Sequence, residues 1–138
     1  MHKQELTDFF AAAPLCKDLS LQDIERLVPF AESLILVEGE SIDETADSTH
    51  YLYVIKTGKL AVEKTTETLP HQSDLLHQYD FFGESTHLGQ TKSPKVITAQ
   101  ERSELIRIDL DQLQQQEDVT PIYSKILLQI ALKVSLDL

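Results

Sequence analysis

Residues 51–63 read YLYVIKTGKLAVE. Tyr51-Leu52-Tyr53-Val54-Ile55 is a run of aromatic and branched side chains, Lys56-Thr57-Gly58 breaks it, and Lys59-Leu60-Ala61-Val62-Glu63 alternates apolar with polar. Side chains of the first kind suit a pleated, half-buried surface and the glycine supplies a turn, so the stretch predicts a β-hairpin. Short strands extend outward from it. Ahead lie 33–37 and 41–43, either side of the turn Glu38-Gly39-Glu40, with 44–50 a polar loop. Behind lie 74–77, 95–99 and 103–108, with 65–73, which contains Pro70, as an exposed hairpin connection. That spacing predicts a mostly β fold with flanking helices, an antiparallel β-roll or jelly-roll barrel of about eight strands.

Helices bracket the strands. Residues 6–13 are helix-compatible up to Pro14, and Ser20 with Asp23 three positions on forms a capping box for a helix reaching about Val28, where Pro29 stops it. Residues 109–116 predict a short helix, and 121–138 a longer one with Pro121 in its first turn. On that last helix Ile122, Tyr123, Ile126, Leu127, Ile130, Ala131 and Val134 make one broad apolar face suited to docking on a barrel. Leu128, Leu132 and Leu136 make a second stripe, four residues apart, on another side. An exposed apolar stripe marks an interface, here a homodimer or a docking surface for another domain.

The whole chain, 1–138, fits one domain: N-terminal helices over about 5–30, strands over about 33–108 and C-terminal helices over about 109–138. Twelve basic against 23 acidic residues leave a net charge of -11, which repels nucleic acids and anionic membrane surfaces. An anionic ligand therefore needs a local cradle. No secretory signal opens the chain, no run is long enough to span a bilayer, and Cys16 is the lone cysteine, so a cytoplasmic location is expected.

Chemically specific residues are densest in 80–99, DFFGESTHLGQTKSPKVITA. Phe82-Gly83-Glu84 followed by Ser85 and Thr86 reads as the start of a short helix, whose unpaired N–H groups can hold a phosphate while the carboxylate meets sugar hydroxyls. The same residues also fit a capped turn that binds nothing. Elsewhere the signals are bland. His2, His50, His71, His77 and His87 show no ligand spacing, and the acidic run Glu38, Glu40, Asp43 and Glu44 reads as a solvated loop face. No nucleophile with its base is readable, so neither a metal site nor catalysis is expected.

Taken together, these landmarks resemble the cyclic nucleotide-binding domain, the β-roll sensor of catabolite-activator-type regulators and of protein kinase regulatory subunits. The resemblance runs from Leu19-Ser20 through Val37-Glu38-Gly39-Glu40-Ser41-Ile42, then Asp47 through Ile55, the hairpin around Gly58, and the cassette Asp80-Phe81-Phe82-Gly83-Glu84. It implies cAMP or cGMP as ligand, with Glu84 on the ribose 2′-hydroxyl and the amides of residues 83–86 on the cyclic phosphate. It also implies a signal passed to the C-terminal helix. The family's cassette arginine falls on Ser93, ahead of Pro94, and only a two-residue slip brings Lys95 near it. Lysine cannot reproduce the two-pronged guanidinium contact. Ala46 and Tyr79 stand where the family has glycines, and Ser85, Thr86 and His87 replace its apolar residues. The expectation is a sensor with weak, altered or lost cyclic nucleotide binding, or a non-binding relative that serves as a dimerisation or docking module. Its ligand-site residues are Phe82, Gly83, Glu84, Ser85, Thr86, Ser93 and Lys95.

Overall fold

The computed structural model describes residues 2–43, 51–64, 72–83, 95–116 and 120–136. Along the chain these form α1 (His2–Ala12), α2 (Leu21–Leu27), β1 (Ala31–Leu36), β2 (Ser41–Asp43), β3 (Tyr51–Thr57), β4 (Leu60–Lys64), β5 (Gln72–Leu76), β6 (Phe81–Phe82), β7 (Lys95–Ala99), β8 (Ser103–Asp109), α3 (Leu110–Gln115) and α4 (Thr120–Leu136). Two compact units result, one of residues 33–107 and one of residues 1–32 with 108–138.

In the strand unit the eight strands form two antiparallel four-stranded sheets, ordered β1-β8-β3-β6 and β2-β7-β4-β5. No closed barrel forms among the described residues. The expected hairpin is present, but its arms belong to different sheets, because β3 pairs with β6 and β8 while β4 pairs with β5 and β7. Alternate positions of each strand supply the core: Tyr53 and Ile55, Leu60 and Val62, Ile97 and Ala99, joined by Leu36, Phe82 and Leu105. Burying each large apolar side chain contributes about 1.5–3 kcal/mol, and the two-residue period makes this possible only with the sheets face to face.

The Gly58 turn closes one end of this unit. Gly58 has φ 104°, and a Cβ there would collide with the side chain and backbone of Ser103. Ser103 is wholly buried, yet its hydroxyl accepts from the Lys59 N–H at 3.2 Å and donates to the Glu101 carbonyl at 2.9 Å. A buried hydroxyl thus has partners on both sides.

The helical unit starts from local chemistry too. Ser20 caps α2 as its sequence predicts, the Asp23 N–H donating to Ser20 Oγ at 3.1 Å and the Ser20 N–H to Asp23 Oδ2 at 3.2 Å. Pro29 then sits in a 3-10 turn, Val28–Phe30, which ends the helix. Within this unit α1 packs on α2, and α4 packs on α3 and on a second 3-10 turn, Pro14–Cys16. Phe10, Leu27, Leu113, Ile122, Ile126 and Ile130 are buried. Lys125 reaches Asp23 at 3.3 Å, and the Gln129 amide donates to Asp18 at 2.5 Å. Burial alone would raise the Asp23 pKa, but the Ser20 hydrogen bonds and Lys125 outweigh it and hold the carboxyl below its usual range. Burial pushes the Cys16 thiol up to about 12.

Several boundaries differ from the sequence reading. β1 opens at Ala31 and β5 at Gln72, each two residues early, and α1 starts at His2. Phe81–Phe82 pairs as a strand that no periodicity announces, because two residues are too few to show one. The expected cassette helix and the loop 44–50 lie outside the described residues, as does 65–71.

Candidate ligand-binding site

The cassette's entry is the part of the predicted site that the structure describes. It begins with a turn at His77–Asp80: the His77 N–H donates to Asp80 Oδ2 at 2.7 Å, and the Asp80 N–H to the His77 carbonyl at 3.0 Å. The turn is stitched to β3 by Tyr79 N–H to Ile55 O at 2.8 Å and Ile55 N–H to Asp80 O at 2.9 Å. Tyr79, at the position where the resemblance expects glycine, has φ 72°. The left-handed conformation is retained although the residue is not a glycine, which stores strain of order 1 kcal/mol.

β6 follows, its Phe82 opposite Tyr53 in register. Phe82 is buried, and its ring lies on that of Tyr53 with centroids 4.8 Å apart and planes 9° from parallel. Next comes Gly83 with φ 94°, and a Cβ there would strike the Tyr51 carbonyl. Glycine is therefore required twice over, by dihedral and by space. Phe82 thus anchors the entry, and Gly83 lets the backbone pass hard against β3. Glu84, Ser85, Thr86 and Ser93 lie outside the described residues. Lys95 opens β7, its backbone in register with Lys64 of β4.

Two residues whose sequence pattern marks them as strand formers flank this entry. The Tyr51 ring is 6.2 Å from that of Tyr53 along the same strand face, and the Arg107 guanidinium lies 4.5 Å from its centroid. Arg107 follows Leu105, a core residue, by two positions, so strand alternation turns it toward the same face. A charge at an inward-parity position was the available signal. Among the described residues no group of three or more His, Cys, Asp or Glu converges as a metal site. Leu128 and Leu132 are 55% and 47% exposed, and nothing is described of the Leu136 side chain. No described helix is long and apolar enough to cross a membrane.

With this geometry in hand, comparison with known proteins gives a consistent picture. The sequence model of the cyclic nucleotide-binding domain matches residues 35–117, more than half of the chain. No curated protein matches it in sequence. Among solved structures, a cyclic nucleotide-binding domain from Methylobacillus flagellatus superposes with a TM-score of 0.76 at 16% identity, over 98% of this chain and 77% of that one. The regulatory subunit of a cAMP-independent protein kinase A from Trypanosoma brucei, as a triple mutant in which one change replaces threonine by arginine, holds cAMP in its A site. It superposes with a TM-score of 0.70 at 16% identity, over 91% of this chain and 52% of that one. The corresponding Trypanosoma cruzi subunit, bound to guanosine, gives 0.70 and 16%, over 91% and 50%. The chain spans about half the length of the two trypanosome subunits.

Proposed function

The chain belongs to the cyclic nucleotide-binding domain family, a regulatory and non-catalytic one, and on that premise we propose that residues 1–138 are one cytoplasmic sensor domain with weak, altered or lost cAMP and cGMP binding. Phe82, Gly83, Glu84, Ser85, Thr86, Ser93 and Lys95 form its ligand site, and α4 carries the signal onward. Neither catalysis nor nucleic-acid binding is part of this reading. One observation supports it: Phe82 is stacked on Tyr53 and Gly83 is pressed on the Tyr51 carbonyl, at the residues that the resemblance makes the cassette entry, while its arginine position falls on Ser93. Losing a charge-assisted contact to a buried phosphate costs about 2–5 kcal/mol. The trypanosome relatives support an altered preference, since cAMP there accompanies an introduced arginine and the other subunit holds an uncharged nucleoside.

Calorimetric titration with cAMP, cGMP and guanosine tests the reading. Saturable heat that vanishes in Glu84→Ala supports sensing, and the absence of binding to all three at millimolar ligand would sink the sensor and leave a domain whose binding is lost.

A second reading is favoured by the exposure of Leu128 and Leu132: a non-binding domain of the same fold that dimerises, or docks a partner, through Leu128, Leu132 and Leu136. Analytical ultracentrifugation over a concentration series checks it. The dimer is expected to dissociate at least tenfold more easily in Leu128→Glu/Leu132→Glu, whereas a monomer at every concentration removes the dimer.

A further inference from the structure

Two polar contacts, one helical turn apart, join the N-terminal part of the helical unit to α4. Lys125 and Gln129 stand four residues apart, so their side chains leave α4 on one flank. Lys125 reaches Asp23 Oδ2 at 3.3 Å, and the Gln129 amide donates to Asp18 Oδ2 at 2.5 Å. The two carboxylates bracket Ser20, the cap of α2. Asp23 Oδ2 also accepts the Ser20 N–H, so one oxygen serves both the start of α2 and the hold on α4. Asp18 and Lys125 are exposed, and Asp23 and Gln129 half-buried. Polar contacts this close to solvent are weak, and a hold that must let go has to be weak.

The apolar residues beside this seam are an independent observation. Leu128 and Leu132 each follow a seam residue by three positions and so neighbour it on the helix surface, while Ile122, Ile126 and Ile130 anchor α4 on its buried face. On the other element of the seam Leu21 opens α2 and is 60% exposed. Both partners of a polar seam thus carry exposed leucines. Bringing those leucines together would remove apolar surface from water, but a turn of α4 about its anchored face that did so would break both polar contacts.

We propose that α4 has two positions: one held by the Asp18–Gln129 and Asp23–Lys125 contacts with Leu128 and Leu132 turned outward, and a second in which those contacts open and the leucines close on Leu21. The use of this change as the step by which ligand state reaches α4 rests on the sensor reading above; the two positions do not.

The test is hydrogen exchange of the full chain followed by mass spectrometry, in wild type, Lys125→Ala/Gln129→Ala, Leu21→Ser and the triple variant. Alanine favours helix, so faster exchange in the double variant cannot come from lost propensity. Residues 125–136 are expected to exchange about tenfold faster in it than in wild type, with residues 33–107 unchanged. No change over 125–136, or the same factor throughout the chain, overturns the hold. Leu21→Ser alone is expected to be silent, and to add a further several-fold acceleration over 125–136 in the double variant. Silence in both backgrounds, or an equal effect in both, overturns the second position. Where calorimetry shows cAMP, cGMP or guanosine to bind, that ligand is expected to shift exchange over 125–136 in wild type and not in the double variant. A bound ligand without such a shift overturns the signalling use alone. Absence of binding by all three removes the sensor reading and its signalling use, while the variants still decide the two positions. If the double variant proves unfolded, Gln129→Ala takes its place in the same comparisons.

Discussion

Gly83 tolerates no side chain, because both its positive φ and the neighbouring Tyr51 carbonyl forbid one. Gly83→Ala is expected to lose about 1–3 kcal/mol in urea unfolding, and a loss under about 0.5 kcal/mol would mean that the entry relaxes freely. Tyr79 is the opposite case, a bulky residue held at φ 72° where the backbone wants a glycine. Tyr79→Gly should raise stability by up to about 1 kcal/mol, the relief of strain exceeding the entropy that glycine adds to the unfolded chain; a fall in Tm would show that the tyrosine ring contributes more than its backbone costs. Cys16 is buried with its thiol raised to about 12, so it stays protonated and inert in the fold. Stability linked to it is intact below the unfolded thiol value of about 8.5 and is lost as pH rises from there through 12. Alkylation at pH 8 should therefore wait on unfolding, and the alkaline decline in Tm should shrink in Cys16→Ala. At this scale the sequence announced Gly83 by its neighbours. It did not announce Arg107, whose significance depends on which strand lies beside it.

Among the elements, α2 shows how far local chemistry reaches. Its capping box was readable from Ser20 and Asp23, and both reciprocal hydrogen bonds form. Ser20→Ala should cost about 1 kcal/mol by the same unfolding assay, and no change would mean that packing alone fixes the helix start. The Asp23 carboxyl, held low by Ser20 and Lys125 against the effect of burial, contributes above its unfolded pKa of about 3.9 and ceases to as pH falls through its lower folded value. The stability gap between wild type and Asp23→Asn should accordingly be present at pH 7 and close below about pH 4. A gap that is constant with pH would assign the effect to the hydrogen bonds rather than the charge. What the element scale hid was β6, since a two-residue strand exists only through its partner: Phe82 is a strand residue because Tyr53 lies opposite.

For the molecule as a whole, strand number and order of elements were legible because turns and alternation recur along the chain. The division of those strands between two sheets was not, because a hairpin's sequence does not say that its arms part company after Gly58. The two ends of the strand unit thereby acquire different characters. One is closed by the Gly58 turn and the doubly bonded Ser103 hydroxyl, the other carries the Tyr51 ring with the Arg107 guanidinium against it. The closed end has a consequence for sequence variation. An added Cβ at Gly58 would meet not only the Ser103 side chain but its Cα, at 2.7 Å, so the obstacle is the β8 backbone and no substitution at 103 can remove it. Two positions in contact usually buffer each other's changes; here the dependence runs one way. In a library randomised at both positions and selected for folding, position 103 should return several small residues while position 58 returns glycine against every one of them.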